Sequence, residues 1–354
     1  MPVDLISVVV AVYNGEKTIA KTMAAILSQD FSAELEVIVV DDGSTDRTSE
    51  ILATFTRHSE RSEESNPDEI LRCCAPQNDK ISILYFRQTN QGPASARNKG
   101  AECAKGEIIF FTDSDCVPAP DWIKTNIAHY SDPTVAVVAG SYDILNNESL
   151  LARCIHAEII FRHQVLMPLY PKVFGSYNFS IRKKIFNQVG GFNTDYRYPS
   201  GEDNDLSYKV IQTGYKIYFA RDSLVAHDHP TKLWRYLEEQ YRHGFWRVKM
   251  YADHPSMSRG DDYTFWKDIV EIPIVLLLIL SPILILFKNL LYIVILFNFL
   301  LYLIEFYYGF IMTRQLPEGF FLSCVMWLRS FARSFGFSSG IFYFFSKKIL
   351  KKSK

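Results

Sequence analysis

Over the first 230 positions, apolar residues occur in short unbroken runs separated by polar, helix-period stretches. Leu5 to Val12, Leu35 to Val40, Ile81 to Phe86, Glu107 to Thr112 and Val135 to Ala139 are such runs. Lacking the alternation of a half-exposed strand, they predict strands buried on both faces of a parallel sheet. Between them, Ile19, Met23 and Ile26-Leu27 keep helical spacing after the Asn14-Gly15 turn, and Pro93 to Ala104 reads as a helix with proline in its first turn. Another helix is expected near Thr45-Asp46, capped by Ser44 or Asp46. Strands alternating with helices predict an α/β fold with a doubly wound, mostly parallel sheet. Residues 57–80 are polar and aperiodic, and read as a flexible surface insertion.

The pattern changes after position 230. Trp234 to Met250 keeps helical spacing, with Trp234, Tyr236, Tyr241, Phe245 and Trp246 interleaved with Arg235, Arg242, Arg247 and Lys249. Residues 231–265 therefore read as an amphipathic linker lying in a membrane interface. Residues 266–354 follow as a membrane region, with apolar stretches near 269–287 and 290–312. Each approaches the roughly 20 residues that a spanning helix needs. A third segment, 320–345, carries Arg329 and Arg333 and reads as interfacial, with a third span as the alternative. Glu305 is expected toward the cytosolic end of the second span, exposed at the interface, although an acid inside a membrane is a functional candidate by default. The basic tail Lys347 to Lys354 favours a cytosolic C-terminus, and two spans would put the domain of residues 1–230 on the same side. This predicts a multi-pass protein of a bacterial-type inner or plasma membrane, with a cytoplasmic catalytic domain.

Composition narrows the options. The 354 residues suffice for one full α/β domain with an appendage. A formal net charge of -1 argues against a nucleic-acid partner. The six cysteines form no C-x-x-C pair and read as reduced thiols. The start, Met1-Pro-Val-Asp4, has neither the basic region nor the apolar run of a secretory signal.

The candidate chemistry sits where strands end, which is where open α/β sheets bind ligands. Asp113-Ser114-Asp115 ends the fourth run, and two carboxylates so placed can face one Mg²⁺ or Mn²⁺ shared with phosphate oxygens. Asp41-Asp42-Gly43-Ser44 ends the second run. One of its acids reads as a turn cap and the other, Asp42, as a group accepting hydrogen bonds from a nucleoside. Glu202, Asp203 and Asp205 form a third acidic cluster. His227 or His229 follows the strand from Lys216; His156 and His163 lie in a helical stretch and read as structural.

Four segments in this order carry a specific resemblance: Ser7-Val-Val-Val-Ala-Val-Tyr-Asn14, Val39-Val-Asp-Asp-Gly-Ser-Thr-Asp46, Asn90-Gln-Gly-Pro-Ala-Ser-Ala-Arg-Asn98 and Thr112-Asp-Ser-Asp115. Together they resemble the family-2 inverting glycosyltransferases of the GT-A fold, a Rossmann-like α/β domain, here followed by C-terminal transmembrane helices. The resemblance covers about residues 5–250 and implies a nucleotide-sugar donor and a divalent metal. By position it implies Ala11, Tyr13, Asp42, Arg97, Asn98 and Asp113 around the donor, and Asp115, Asp113 and His227 at the metal, with His229 as alternate. Gly175-Ser-Tyr-Asn178 and Gly201-Glu-Asp-Asn-Asp205 resemble the acceptor half, which implies Asn178 and Glu202 on the acceptor side and Asp203 as catalytic base at the start of a helix. A Gln-x-x-Arg-Trp motif of processive synthases is absent, since Gln240 is followed by Tyr-Arg-His-Gly, and this points to single-sugar transfer. An anchored domain implies a lipid-linked glycan acceptor in envelope or surface-polysaccharide assembly. Transfer to a polyprenyl phosphate is the alternative, and a non-catalytic nucleotide-binding scaffold another. A nucleotidyltransferase is disfavoured because Tyr13-Asn14-Gly15-Glu16 replaces its glycine-rich phosphate loop.

Overall fold

The structure is a computed structural model, and it describes residues 4–55, 71–75, 78–198, 200–256, 260–280 and 288–352. The chain divides into two compact units. The first comprises residues 1–143 and 168–228; the second comprises 144–167 and 229–354.

The first unit is built on a nine-stranded sheet. Its strands are β1 (Leu5–Val12), β2 (Glu34–Asp41), β3 (Leu71–Ala75), β4 (Asn78–Arg87), β5 (Ile108–Asp113), β6 (Cys116–Pro118), β7 (Val135–Ile144), β8 (Asn178–Arg182) and β9 (Lys216–His227), in the order β3-β4-β2-β1-β5-β8-β7-β9-β6. The neighbours β4-β2-β1-β5 are parallel. Beyond them the pairs β5-β8, β7-β8 and β6-β9 are antiparallel, as is β3-β4, so the sheet is mixed around a four-strand parallel run. Those four are the strands with the least interrupted apolar runs. Val8, Val9 and Val10 of β1 and Val37 to Val40 of β2 are almost fully buried, as strands covered on both faces must be. Of the expected insertion, residues 57–70 and 76–77 lie outside the described residues. Residues 71–75 form edge strand β3, and β4 begins at Asn78, ahead of the apolar run that marked it in the sequence.

Helices α1 (Ile19–Leu27), α2 (Thr48–Phe55), α3 (Pro93–Cys103), α4 (Trp122–Ala128), α6 (Lys183–Gln188) and α7 (Glu202–Gln212) complete this unit; α5 (Leu150–Val165) belongs to the second. Helix α3 presents Ala94, Ala96, Gly100 and Ala101 inward. A Cβ on Gly100 would come within 2.4 Å of Val9, so only glycine lets α3 approach β1 this closely.

The second unit is helical: α5, α8 (Leu233–Asp253), α9 (Trp266–Ile279), α10 (Lys288–Thr313) and α11 (Leu316–Lys352). Asn289–Thr313 is long and apolar enough to cross a membrane, with a mean hydropathy of 2.1, and is the one such helix among the described residues. The stretch expected to span at 269–287 is described only to Leu280, where α9 has ended at Ile279 after 14 residues; residues 281–287 lie outside the described residues. The multi-pass expectation is therefore not carried by this structure. Residues 320–345 lie within the single helix α11. Glu305 is not exposed, as the sequence had led us to expect. It is fully buried and accepts Lys267 Nζ at 2.9 and 3.0 Å. Burial of an acid is tolerable when a cation lies this close.

The same unit holds a connected set of buried ion pairs. Arg162 lies 2.6 Å from Glu158 and 2.7 Å from Asp268. Arg329 reaches Glu158 at 2.6 Å, and Arg333 donates to Gln240 at 2.9 Å.

Candidate active site

The parallel register brings the chemistry-bearing strand ends into line. Val12 pairs with Asp41 across β1 and β2, and Ala11 pairs with Asp113 across β1 and β5. The loops leaving β1 and β2 are laced together. The amides of Asn14, Gly15 and Glu16 donate to Ser44 Oγ, Thr48 Oγ1 and Asp46 Oδ2, while Thr45 N donates to Asn14 Oδ1. Ser44, Thr48 and Asp46 thus serve the neighbouring loop, and Tyr13 stands half exposed beside it.

Both acids at the end of β2 are engaged by protein partners. Asp41 is fully buried, accepts Ser44 N and Tyr85 Oη, and turns the loop. Asp42 accepts Gln88 Nε2 at 2.7 Å, Gln91 N at 2.9 Å and Gly92 N at 2.8 Å, so its carboxylate shapes the 88–92 loop and does not lie open to a nucleoside. That loop ends at Gly92, with φ +92°, where a Cβ would come 2.5 Å from the Arg197 carbonyl oxygen. Only glycine fits this approach, and it sets the start of α3.

Arg97, one turn further, is buried and points inward, not along a helix surface. It donates to Asp113 Oδ1 at 2.6 Å and to Glu202 Oε1 at 2.9 Å. One guanidinium thereby ties the end of β5 to the first turn of α7. A planar fork with several donors bridges two carboxylates in a fixed geometry. Asn98 faces elsewhere: its amide exchanges hydrogen bonds with the backbone of Phe192 at 2.8 and 2.9 Å and pins the turn before α7. The residue stays partly exposed and lines a cleft with Gln88, Gln91 and Lys99.

Asn178 is also corrected. It is fully buried, accepts Trp122 Nε1 at 2.7 Å and donates to the carbonyls of Ser141 and Ser223 at 3.0 Å. Both its amide protons are used, so it cross-links β8 to its neighbours and offers no proton to an acceptor. Glu202 likewise is closed in. Beyond Arg97 it accepts Ser200 N at 2.7 Å, making it a support for the α7 entry. Asp205 pairs with Lys209 at 3.0 Å.

Asp203 differs from its neighbours. It is half buried and accepts the adjacent amide of Asn204 at 2.8 Å and a backbone hydrogen bond from Ser176. Burial, helped by the nearby negative charge of Glu202, pushes its carboxyl up to about 7. A carboxylate there holds a proton with nearly the affinity of neutral water's working range, which is what a general base requires.

Asp115 Oδ2 lies 3.6 Å from His227 Nε2, and Cys116 Sγ joins them, the three donor atoms lying within 4.8 Å of one another. Burial raises the Asp115 carboxyl, with Asp113 adding to the effect and His227 opposing it. A carboxylate and an imidazole at this separation fit a divalent cation. Asp113 keeps Oδ2 clear of Arg97, which takes Oδ1. His229, the alternate, accepts no place in this group; it lies in the helical unit, 3.4 Å from His156. The sequence reading missed Cys116, whose signal was only its position after Asp115. It also missed Tyr142, whose ring stacks on Tyr177 at 3.5 Å and meets His227 edge-on at 5.2 Å.

Known proteins match this arrangement. The profile described as Glycosyl transferase family 2 matches residues 7–190, and that of Glycosyl transferase family group 2 matches 108–346. A pre-mycofactocin glycosyltransferase of Mycobacterium tuberculosis is 31% identical over 182 residues, 49% of this chain and 38% of that protein, so the chain spans well under half of that relative. Glycosyltransferase AglE of Haloferax volcanii is 26% identical over 278 residues, 74% of this chain and 79% of that one. In three dimensions the chain is similar to the mannosyltransferase PcManGT from Pyrobaculum calidifontis, solved with GDP-Man and Mn²⁺, with a TM-score of 0.55 at 17% identity over 95% of this chain and 90% of that one. The fold is of the GT-A type, and with more than half of its length matched by the family profile, the chain belongs to glycosyl transferase family 2.

Proposed function

We propose that the chain transfers a single sugar, with inversion, from a nucleoside diphosphate sugar to a hydroxyl of a lipid-linked glycan. The observation that carries the reading is the Arg97 bridge, because it couples the strand end bearing Asp113 to the helix turn bearing Asp203. Asp203 takes the proton of the acceptor hydroxyl, and the oxygen attacks the anomeric carbon from the side opposite the leaving diphosphate. Its raised affinity for a proton supports that role. Asp115 and His227, with the open oxygen of Asp113, would hold Mg²⁺ or Mn²⁺. When bound, the cation supplies positive charge to the departing diphosphate. Mn²⁺ in the PcManGT complex supports the metal, and the GDP-mannose there supports a nucleotide-sugar donor. Ala11 and the half-exposed Tyr13 face the nucleoside, and Asp42, Asn98 and Glu202 act by shaping the loops around it.

The acceptor and the location rest on the second unit. Helix α10 and the exposed Trp234 of α8 support attachment to a membrane, and a lipid-linked acceptor would lie in that surface. The test is donor turnover by the full chain in detergent, with a panel of nucleotide sugars and Mn²⁺ or Mg²⁺. Metal-dependent release of nucleoside diphosphate from one donor, lost in Asp115→Ala, is the expected result. A chain that binds no donor with either metal overturns the reading.

A further inference from the structure

The metal centre contains a soft donor that transfer to a hydroxyl does not call for. Strands β6 and β9 are antiparallel, with Cys116 directly opposite His227. Residues directly opposite each other send their side chains to the same face. The Cys116 sulfur lies 3.8 Å from Asp115 Oδ1, and Asp115 Oδ2 lies 3.6 Å from His227 Nε2. One donor atom from each of the three lies within 4.8 Å of the others, and donors around a tetrahedral zinc at about 2.0 to 2.3 Å stand roughly 3.3 to 3.8 Å apart, so a small closing movement brings the set to that spacing. Carboxylate oxygen suits Mg²⁺ or Mn²⁺, whereas imidazole and thiolate suit zinc, and divalent affinities rise from Mn²⁺ toward Zn²⁺ for a given set of ligands.

We infer that Cys116, Asp115 and His227 form a site for a thiophilic dication (Zn²⁺, Co²⁺ or Cd²⁺) that competes with the catalytic cation. The inference rests on the metal reading above. Binding breaks the S–H bond of Cys116 and forms a metal–sulfur bond; the proton goes to bulk water, and no oxidation state changes. With the sulfur engaged, Asp115 and His227 are held by a cation that already has three protein ligands. A four-coordinate ion then keeps one position for a diphosphate, where an octahedral ion on one or two carboxylates keeps several, and the consequence is inhibition by zinc at concentrations where Mn²⁺ supports turnover.

The experiment titrates the full chain in detergent with Co²⁺ alone and records the near-ultraviolet charge-transfer band of a cobalt–thiolate bond. The band is expected in the wild type and in a Cys73→Ser/Cys74→Ser double variant, and is expected to vanish in Cys116→Ala. Cys116 also packs in the apolar core, so Cys116→Ser is carried in parallel, and near-ultraviolet circular dichroism identifies a variant that has lost its fold. In the same proteins, Zn²⁺ displacing bound Mn²⁺ is read by the magnetic resonance of free Mn²⁺. Ligand-orienting partners alone are worth about tenfold to a hundredfold in metal affinity, so loss of a donor should raise the displacing zinc concentration at least about tenfold. Cobalt bound without the band, or a band that survives both Cys116 variants, overturns the inference and leaves the carboxylate–imidazole metal reading standing. Failure of the wild type to bind either Mn²⁺ or Co²⁺ overturns both.

Discussion

Glu158 in the helical unit and Asp203 in the sheet unit are both acids shielded from water, and they carry opposite charge settings. Burial alone would raise Glu158, but Arg329 and Arg162 outweigh it and hold the carboxyl well below its usual range. Asp203 has burial and a neighbouring acid acting in the same direction, and Arg97, engaged by Asp113 and Glu202, opposes them only weakly. The chain thus places cations where an acid must stay ionised to hold helices together, and withholds one where an acid must exchange a proton. A carboxylate bonded directly to a cation is a poor base, because taking a proton would break the pair.

Removing the Asp203 charge tests this contrast most severely. Asp203→Asn is expected to lower kcat by roughly 10² to 10⁴ while leaving donor affinity unchanged, as measured by steady-state transfer and donor titration. The pH profile gives the sign. Below about 7 the Asp203 carboxyl is protonated and cannot accept another proton, so kcat/KM should rise with pH along a limb centred near 7. A limb near the usual aspartate value would mean that another group is the base. Next in size is Arg329→Ala, which strips Glu158 of one buried partner. Breaking such a pair costs about 3 to 5 kcal/mol, read as a fall in unfolding temperature in detergent. Asn178→Ala should destabilise by about 1 to 3 kcal/mol, from the hydrogen-bonding groups it leaves unpaired, with no change in acceptor KM. A changed acceptor KM at unchanged stability would return Asn178 to the acceptor site. The smallest effect is Tyr13→Ala, where loss of an aromatic surface worth about 0.5 to 1.5 kcal/mol should raise donor KM about two- to tenfold.

The difference between these residues also marks what could be read from the sequence. The parallel core was legible because β1, β2 and β5 are uninterrupted apolar runs, and continuous burial leaves that trace. The acidic strand ends were legible for the same reason, since a run must stop where its acids begin, whereas the α7 entry came from the family resemblance alone. The bonds by which Asp42, Asn98 and Asn178 fasten the fold were not legible, because an amide or carboxylate that fastens a loop has the same letter as one that meets a ligand. The partners that decide the matter, such as Gly92 N for Asp42 and Trp122 Nε1 for Asn178, are 50 and 56 positions away. Edge strand β3 lacked a signal, because an edge strand need not be apolar throughout. Glu305 was misplaced because Lys267, 38 positions earlier, supplies the charge that lets it be buried.

The lacing of the β1 and β2 loops bears on any attempt to alter donor preference. Asn14, Gly15 and Glu16 are fastened to Ser44, Thr45, Asp46 and Thr48 by bonds that run in both directions. A loop grafted from a relative at one position would meet a partner cut for another shape. Residues in one hydrogen-bond network respond non-additively. The two segments are thus a single heritable module: swaps of either alone should fail where the paired swap succeeds, and natural variation in one should be answered by variation in the other.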